Sequence, residues 1–306
     1  MRLVFFGSPA FAVPSLLTLH KHHDVCLVVA QPDRPAGRGM RLTPPEVAQR
    51  AKELGLALEQ PTRLKNPSFA NALRELDPDV AVTVAYGKIL PSSLLEIPRS
   101  GFLNVHASLL PKYRGAAPIQ WALIEGEQTT GITIMKTEVG LDTGPICHTK
   151  TVPIRGEDTA LTLFNTLSEV GARAIVEALA LLVDGRLRFV PQDDSQASYA
   201  PMLKKEDGKI DWRKPAEVIF NRFRGVLAWP GSWFMFGEHR IKVHRMEIIN
   251  ESGAPGTISS VHQLGITVSA GEQALLLQEV QPAGKARMSA WDWANGYGVD
   301  KGRRLG

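Results

Sequence analysis

The chain has 306 residues, enough for one large domain or two ordinary ones, and its apolar share of 44% is ample for a sizeable core. A formal charge of +4 does not by itself imply a nucleic-acid partner; its distribution along the chain matters more. Two cysteines, Cys26 and Cys147, lack metal-type spacing and suit small hydrophobes in a reducing compartment.

In chain order, Arg2–Phe6 is a short, continuous apolar run, as a buried parallel strand requires. A leader peptide would also begin with a basic residue and apolar neighbours. Here Gly7, Ser8, Pro9 and Pro14 break the run too early, so strand, turn and helix (Phe11–His20) fit better. Val25–Ala30 reads as a second buried strand, completing a βαβ unit of the doubly wound type. The turn after the first strand carries one glycine and no G-x-G-x-x-G, which leaves a dinucleotide reading weak. No segment approaches membrane-spanning length, and the chain reads as cytoplasmic.

Gln31–Arg41 reads as a loop in which Arg34, Arg38 and Arg41 sit among glycines and prolines, either a solvated loop or a cationic one that closes over phosphates. Helices are expected over 44–54 and 68–76, a short strand over 57–60, and a third buried strand over Val80–Ala85. The segment Tyr86-Gly87-Lys88-Ile89-Leu90-Pro91 then leaves the C-terminal end of that strand, where open α/β sheets bind ligands. Ile89 and Leu90 equally suit plain core packing.

The most informative stretch is Asn104-Val105-His106-Ala107-Ser108-Leu109-Leu110-Pro111-Lys112-Tyr113-Arg114-Gly115. Two polar side chains lie two residues apart in an apolar strand, hence on one face. Downstream, Glu138-Val139-Gly140-Leu141-Asp142-Thr143-Gly144-Pro145 offers a carboxylate on a Gly-bracketed turn. Asn104, His106 and Asp142 converging on one point would handle protons and stabilise an oxyanion. An Asn-x-His pair that simply satisfies its own hydrogen bonds is the competing reading.

A helix is expected over 116–125, paired strands over 130–135 and 146–152, and a long amphipathic helix over 158–182. Pro, Gln, Asp, Ser and Lys dominate 190–206, which reads as a linker between a first domain, 1–189, and a second, 207–306. The second has a helix over 215–224 and then short β-like runs, as in a small barrel or sandwich. From Lys204 to Arg245 there are ten Lys/Arg against five Asp/Glu, with Trp212, Trp229 and Trp233 among them to fill the barrel or stack on bases. Lys285 and Arg287 add a basic turn. The eight histidines show no paired ligand spacing, and no metal is expected.

These strings, together with Phe-Phe-Gly-Ser-Pro-Ala-Phe-Ala-Val-Pro at 5–14 and Gln-Pro-Ala-Gly-Lys at 281–285, resemble the folate-dependent formyltransferases across nearly the whole chain. The resemblance implies a Rossmann-like α/β domain with a mostly parallel sheet, followed by a smaller OB-like β-barrel. It implies 10-formyltetrahydrofolate as formyl donor, methionyl initiator tRNA as acceptor, and a monomer. It makes Asn104, His106 and Asp142 the catalytic triplet. Ser108, Leu109, Leu110 and Pro111, with Lys88, Ile89, Leu90 and Val139, become folate contacts. Phe11 lies near the amino-acid end of the acceptor, and Arg34, Arg38, Arg41 and Lys285 near the tRNA. A small-amine acceptor is the rival, opposed by the last hundred residues, for which a small substrate gives no use. A non-catalytic RNA-binding protein is opposed by the intact triplet.

Overall fold

The computed structural model describes residues 1–36 and 41–306. The chain forms two compact units. One comprises Met1–Pro118, Thr129–Pro153 and Leu163–Ala200, the other Ile119–Gln128, Ile154–Thr162 and Pro201–Gly306.

Through Ala200 the elements are β1 (Arg2–Gly7), α1 (Val13–His22), β2 (Asp24–Val29), β3 (Arg34–Ala36), β4 (Arg41–Thr43), α2 (Glu46–Glu53), β5 (Leu58–Glu59), α3 (Pro67–Glu75), β6 (Val80–Val84), α4 (Ser92–Leu95), β7 (Phe102–His106), β8 (Arg114–Gly115), α5 (Pro118–Ile124), β9 (Thr129–Lys136), β10 (Ile146–Pro153), α6 (Ala160–Val183) and β11 (Tyr199–Ala200). Among the described residues, the first unit's main sheet has seven strands in the order β10-β9-β7-β6-β1-β2-β5. Pairings from β7 to β5 are parallel, and β9 and β10 add antiparallel partners at one edge. The central strands are apolar throughout because both faces are covered: Leu3, Val4, Phe5 and Phe6 are fully buried, as are Val80, Ala81 and Val82.

The chain winds outward from β1 to β2 and β5, then returns to the other side of β1 with β6 and β7. The order therefore reverses between β1 and β6, and the crevice at such a reversal is where open α/β sheets bind ligands. Gly7 ends β1 at that point, where a Cβ would stand 2.7 Å from the Phe5 ring and 2.9 Å from Cβ of Ala12, so a larger residue would push the turn apart. Ser8 follows, and its hydroxyl donates to the Tyr86 carbonyl beyond β6 at 3.3 Å.

Two expectations need correction. The described ends of the stretch 31–41 are not plain loop: β3 and β4 pair antiparallel, Arg34 opposite Thr43. The stretch 190–206, expected as a linker, contains the boundary between the two units at Ala200 and Pro201, but its first part is not free chain. Val190 exchanges two 2.8 Å backbone bonds with Ile146, and β11 pairs in parallel with β8, so 190–200 belongs to the first unit. Polar composition suggested a linker, whereas Gln192, Asp194 and Ser198 spend their polar groups on hydrogen bonds within the first unit.

Beyond Ala200 come α7 (Ala216–Val226), β12 (Ser232–Phe236), β13 (His239–Ile249), β14 (Ile258–His262), β15 (Gly265–Ser269), β16 (Ala274–Pro282), β17 (Met288–Ser289) and α8 (Ala290–Tyr297). Among the described residues the strands form one antiparallel sheet, β12-β13-β16-β15-β14, with β17 on β16. Its core centres on fully buried Trp293 of α8, set edge-on to Phe234 and Phe236 at 5.7 and 5.2 Å between ring centres. Trp212 packs edge-on to Phe234, and Trp233 lies under the Arg240 guanidinium at 4.1 Å, while Trp229 is half exposed. No helix among the described residues is long and apolar enough to cross a membrane.

Candidate active site

Strand β7 delivers Asn104 and His106 to one face, as period 2 requires. The Asn104 amide is oriented by β6: Thr83, its register partner, donates its hydroxyl to Oδ1 at 2.8 Å. A hydroxyl has one proton, and the alternative acceptor, Leu103 O, is 3.4 Å away. The amide N–H groups are therefore the donors Asn104 offers elsewhere. Thr83 is 5% exposed and was unmarked in the sequence.

His106 is 6% exposed, with Nε2 2.9 Å from the Tyr113 carbonyl oxygen. A carbonyl only accepts, so Nε2 carries the proton in the neutral ring and Nδ1 is the basic nitrogen. Nδ1 faces Oδ2 of Asp142 at 3.7 Å. Two acceptors face one another until a proton arrives at Nδ1, and that proton satisfies both. The gap exceeds a formed hydrogen bond.

Asp142 sits in the turn between β9 and β10, and its Oδ2 accepts from the Gly115 amide at 2.9 Å. Its φ of 54° is left-handed, as are those of Tyr113 (62°) and Ala85 (47°). Such conformations cost energy in non-glycine residues and persist where surroundings enforce them, often at functional sites. Gln192 supplies that enforcement, donating from Nε2 to the carbonyls of Asp142 (2.8 Å) and Gly144 (2.7 Å). Neither Gln192 nor its partner Arg114 was marked by sequence reasoning as a site residue.

The other expected residues divide. Ser108 is fully buried and its hydroxyl donates to Lys112 O at 2.7 Å, so it builds the turn rather than presenting itself to a ligand. Thr133 holds the same turn, donating to Ser108 O at 2.7 Å and accepting from Leu110 N at 3.1 Å. Leu109 and Pro111 are partly exposed; Leu110 is 8% exposed. Leu90 joins the core beside Tyr86, whereas Ile89 and Val139 are 90% and 80% exposed. Lys88 donates from Nζ to Pro61 O and Thr62 O at 2.9 and 3.2 Å, and desolvation, then nearby Arg34, lowers its pKa. Phe11 is a packing residue, buried and edge-on to Phe164 at 5.3 Å. Arg34 and Arg41 are exposed on the β3–β4 pair; Arg38 lies outside the described residues. Lys285 is exposed on a turn of the second unit. No group of three or more His, Cys, Asp or Glu that could hold a metal occurs among the described residues.

A formyl transferase domain matches residues 1–179, and a formyl transferase C-terminal domain matches residues 202–298. The chain belongs to the formyl transferase family. A relative from Deinococcus radiodurans named methionyl-tRNA formyltransferase is 52% identical over 305 residues, covering 99% of this chain and 95% of the relative. Among solved structures, the N-formyltransferase from Helicobacter canadensis in complex with folinic acid and dTDP-3-aminofucose matches with a TM-score of 0.70 at 19% identity, over 90% of this chain and 98% of that one. HypX from Aquifex aeolicus in complex with tetrahydrofolic acid matches with a TM-score of 0.65 at 16% identity. That match covers 98% of this chain and 48% of the other, so this chain spans about half the length of HypX. At these identities the two structures speak to the fold.

Proposed function

We propose that this chain transfers the formyl group of 10-formyltetrahydrofolate to the α-amine of methionyl initiator tRNA, giving N-formylmethionyl-tRNA for translation initiation, as a cytoplasmic monomer. The observation that carries the chemistry is the placement of Nδ1 of buried His106 opposite Asp142, two residues along the strand face from an amide fixed by Thr83. The choice of acceptor is supported by the D. radiodurans relative, whose similarity runs through both units.

The residues present suit the donor. Ile89 and Val139 expose apolar side chains that would lie against the faces of the donor's rings, and Leu109, Leu110, Pro111 and Lys88 would border it. When bound, 10-formyltetrahydrofolate supplies a formyl carbon on a nitrogen able to leave as an amine. The exchange makes one C–N bond and breaks another; the incoming amine loses a proton and the departing nitrogen gains one. Asn104 donates its amide N–H to the formyl oxygen, where negative charge develops. His106 holds a proton at Nδ1 for that oxygen or for the departing nitrogen. Asp142 stabilises the protonated ring and takes the proton of the incoming amine, directly or through water.

No enzyme nucleophile is needed. The Ser108 hydroxyl is committed to Lys112 O, and burial pushes the Cys147 thiol up to about 12. For the tRNA, the exposed Arg34, Arg41 and Lys285 supply phosphate contacts, as does Arg38 of the same sequence stretch as the first two.

The test offers the donor with methionyl initiator tRNA, glycinamide ribonucleotide or an amino sugar nucleotide in turn. Formylation of the tRNA alone is expected. Formylation of a small amine instead would overturn the acceptor, and formylation of none would overturn the whole assignment.

A further inference from the structure

We infer that residues 190–200, which fall between the two stretches matched to the family (1–179 and 202–298), form a strap that positions both partners of His106, with Gln192 as its principal positioning residue. The inference rests on the reading that His106 and Asp142 carry the proton chemistry.

The strap grips each partner at its backbone. Tyr113, whose carbonyl faces His106 Nε2, donates its amide to Ser198 Oγ at 2.9 Å, and Arg114 N donates to Ser198 O at 2.9 Å. Ala200 O accepts from Ala116 and Ala117 at 2.9 and 3.1 Å, which fixes the backbone just beyond the Gly115 amide that binds Asp142. On the other side, Gln192 donates to the carbonyls of Asp142 and Gly144. Gly144 cannot itself be replaced, since a Cβ there would stand 1.8 Å from Lys136 O.

The amide orientation of Gln192 follows from its partners. Oε1 accepts from Nε and Nη2 of Arg114 at 3.1 and 2.8 Å, and a guanidinium has no acceptor to offer. The N–H groups of Gln192 must then face the two carbonyls, which have no donor. A side chain of this length that accepts at one corner and donates twice at the other is glutamine. Arg114 is 2% exposed and is pinned in turn by Asp194 Oδ1 at 2.7 Å. The chain Asp194–Arg114–Gln192 thus ends on the carbonyl of a residue in the left-handed conformation, the one whose carboxylate faces Nδ1. Loosening it lets the carboxylate turn away, and small displacements of a reacting group are costly in rate.

Gln192→Glu is the discriminating variant. It keeps the length and the acceptors for Arg114 but has no donor for Asp142 O or Gly144 O. In formyl transfer to methionyl initiator tRNA, kcat is expected to fall about 10- to 100-fold, with KM for donor and tRNA within about twofold of the parent. Amide exchange across 138–145 should rise. In an Asp142→Ala background the same substitution should cost nothing further, because its effect passes through Asp142. Gln192→Met, which has neither donors nor charge, should behave as Gln192→Glu does if that variant folds poorly. Undiminished kcat, a loss confined to KM, or a loss that multiplies in full with Asp142→Ala would each overturn the inference. If the parent itself transfers no formyl group, the functional reading fails, and the strap is then judged by exchange: unchanged protection of 138–145 in Gln192→Glu would overturn it.

Discussion

Thr83 on β6 donates its hydroxyl to Oδ1 of Asn104 on β7 at 2.8 Å, so a residue inside a buried strand decides which end of the Asn104 amide is offered to a ligand. Thr83→Val keeps shape and strand propensity while removing that donor. Turnover should fall by about tenfold, of the order expected for one lost hydrogen bond, with the melting temperature nearly unchanged. Steady-state kinetics beside a thermal melt checks it; full turnover would mean that Asn104 orients itself.

Removing Asn104 itself should cost more. Loss of an oxyanion donor typically lowers turnover by about 10²–10³, and Asn104→Ala and Asp142→Ala are expected to lose that much or more. Both side chains are partly exposed at the site, so the fold should survive. Near-parental turnover in either folded variant would remove that residue from the chemistry.

The arginines of the β3–β4 pair should act on tRNA and leave the donor alone. Arg34→Ala and Arg41→Ala are each expected to raise KM for the tRNA without altering KM for 10-formyltetrahydrofolate. Each should also reduce the slope of log affinity against log salt by about one unit for every phosphate no longer neutralised. Titrations at three salt concentrations would separate these outcomes. An unchanged slope would make the pair a solvated surface feature.

The second unit carries a readable acid limb. Hydrogen bonds from Arg213 hold the Asp211 carboxyl down to about 2, from an ordinary 3.8. A carboxyl depressed on folding stabilises the native state above its unfolded pKa, and that contribution is lost as pH falls from about 4 towards 2. Arg213 is 81% exposed, so the effect is modest, under about 1 kcal/mol. Melting temperatures across that window should fall less steeply in Asp211→Asn than in the parent. Equal slopes would show that the pair contributes nothing measurable.

What could be read in advance follows from how local each signal is. Continuous apolar runs marked β1, β6 and β7, and strand period placed Asn104 and His106 on one face without any structure. Thr83 escaped because its importance lies in a β6–β7 register that no single strand encodes. Arg114 and Gln192 are 78 residues apart, and a buried arginine beside a glutamine in a polar stretch carries no local mark. Composition does not separate a linker from a hydrogen-bonded strap over 190–200 for the same reason: polar residues serve both equally well. Helix α8 carries its start in the sequence itself. Ser289 accepts from Asp292 N at 2.9 Å and donates to its carboxylate at 2.7 Å, a Ser-x-x-acid cap, and Gly298 closes the helix at a φ of 62°.

The most direct test of the central claim is formyl transfer from 10-formyltetrahydrofolate to methionyl initiator tRNA, run beside methionyl elongator tRNA and free methionine. Formylation of the initiator alone is the predicted result, lowered at least about 10²-fold in parallel by Asn104→Ala. Equal formylation of free methionine would contradict the role assigned to the tRNA contacts, and transfer to none of the three would contradict the assignment itself.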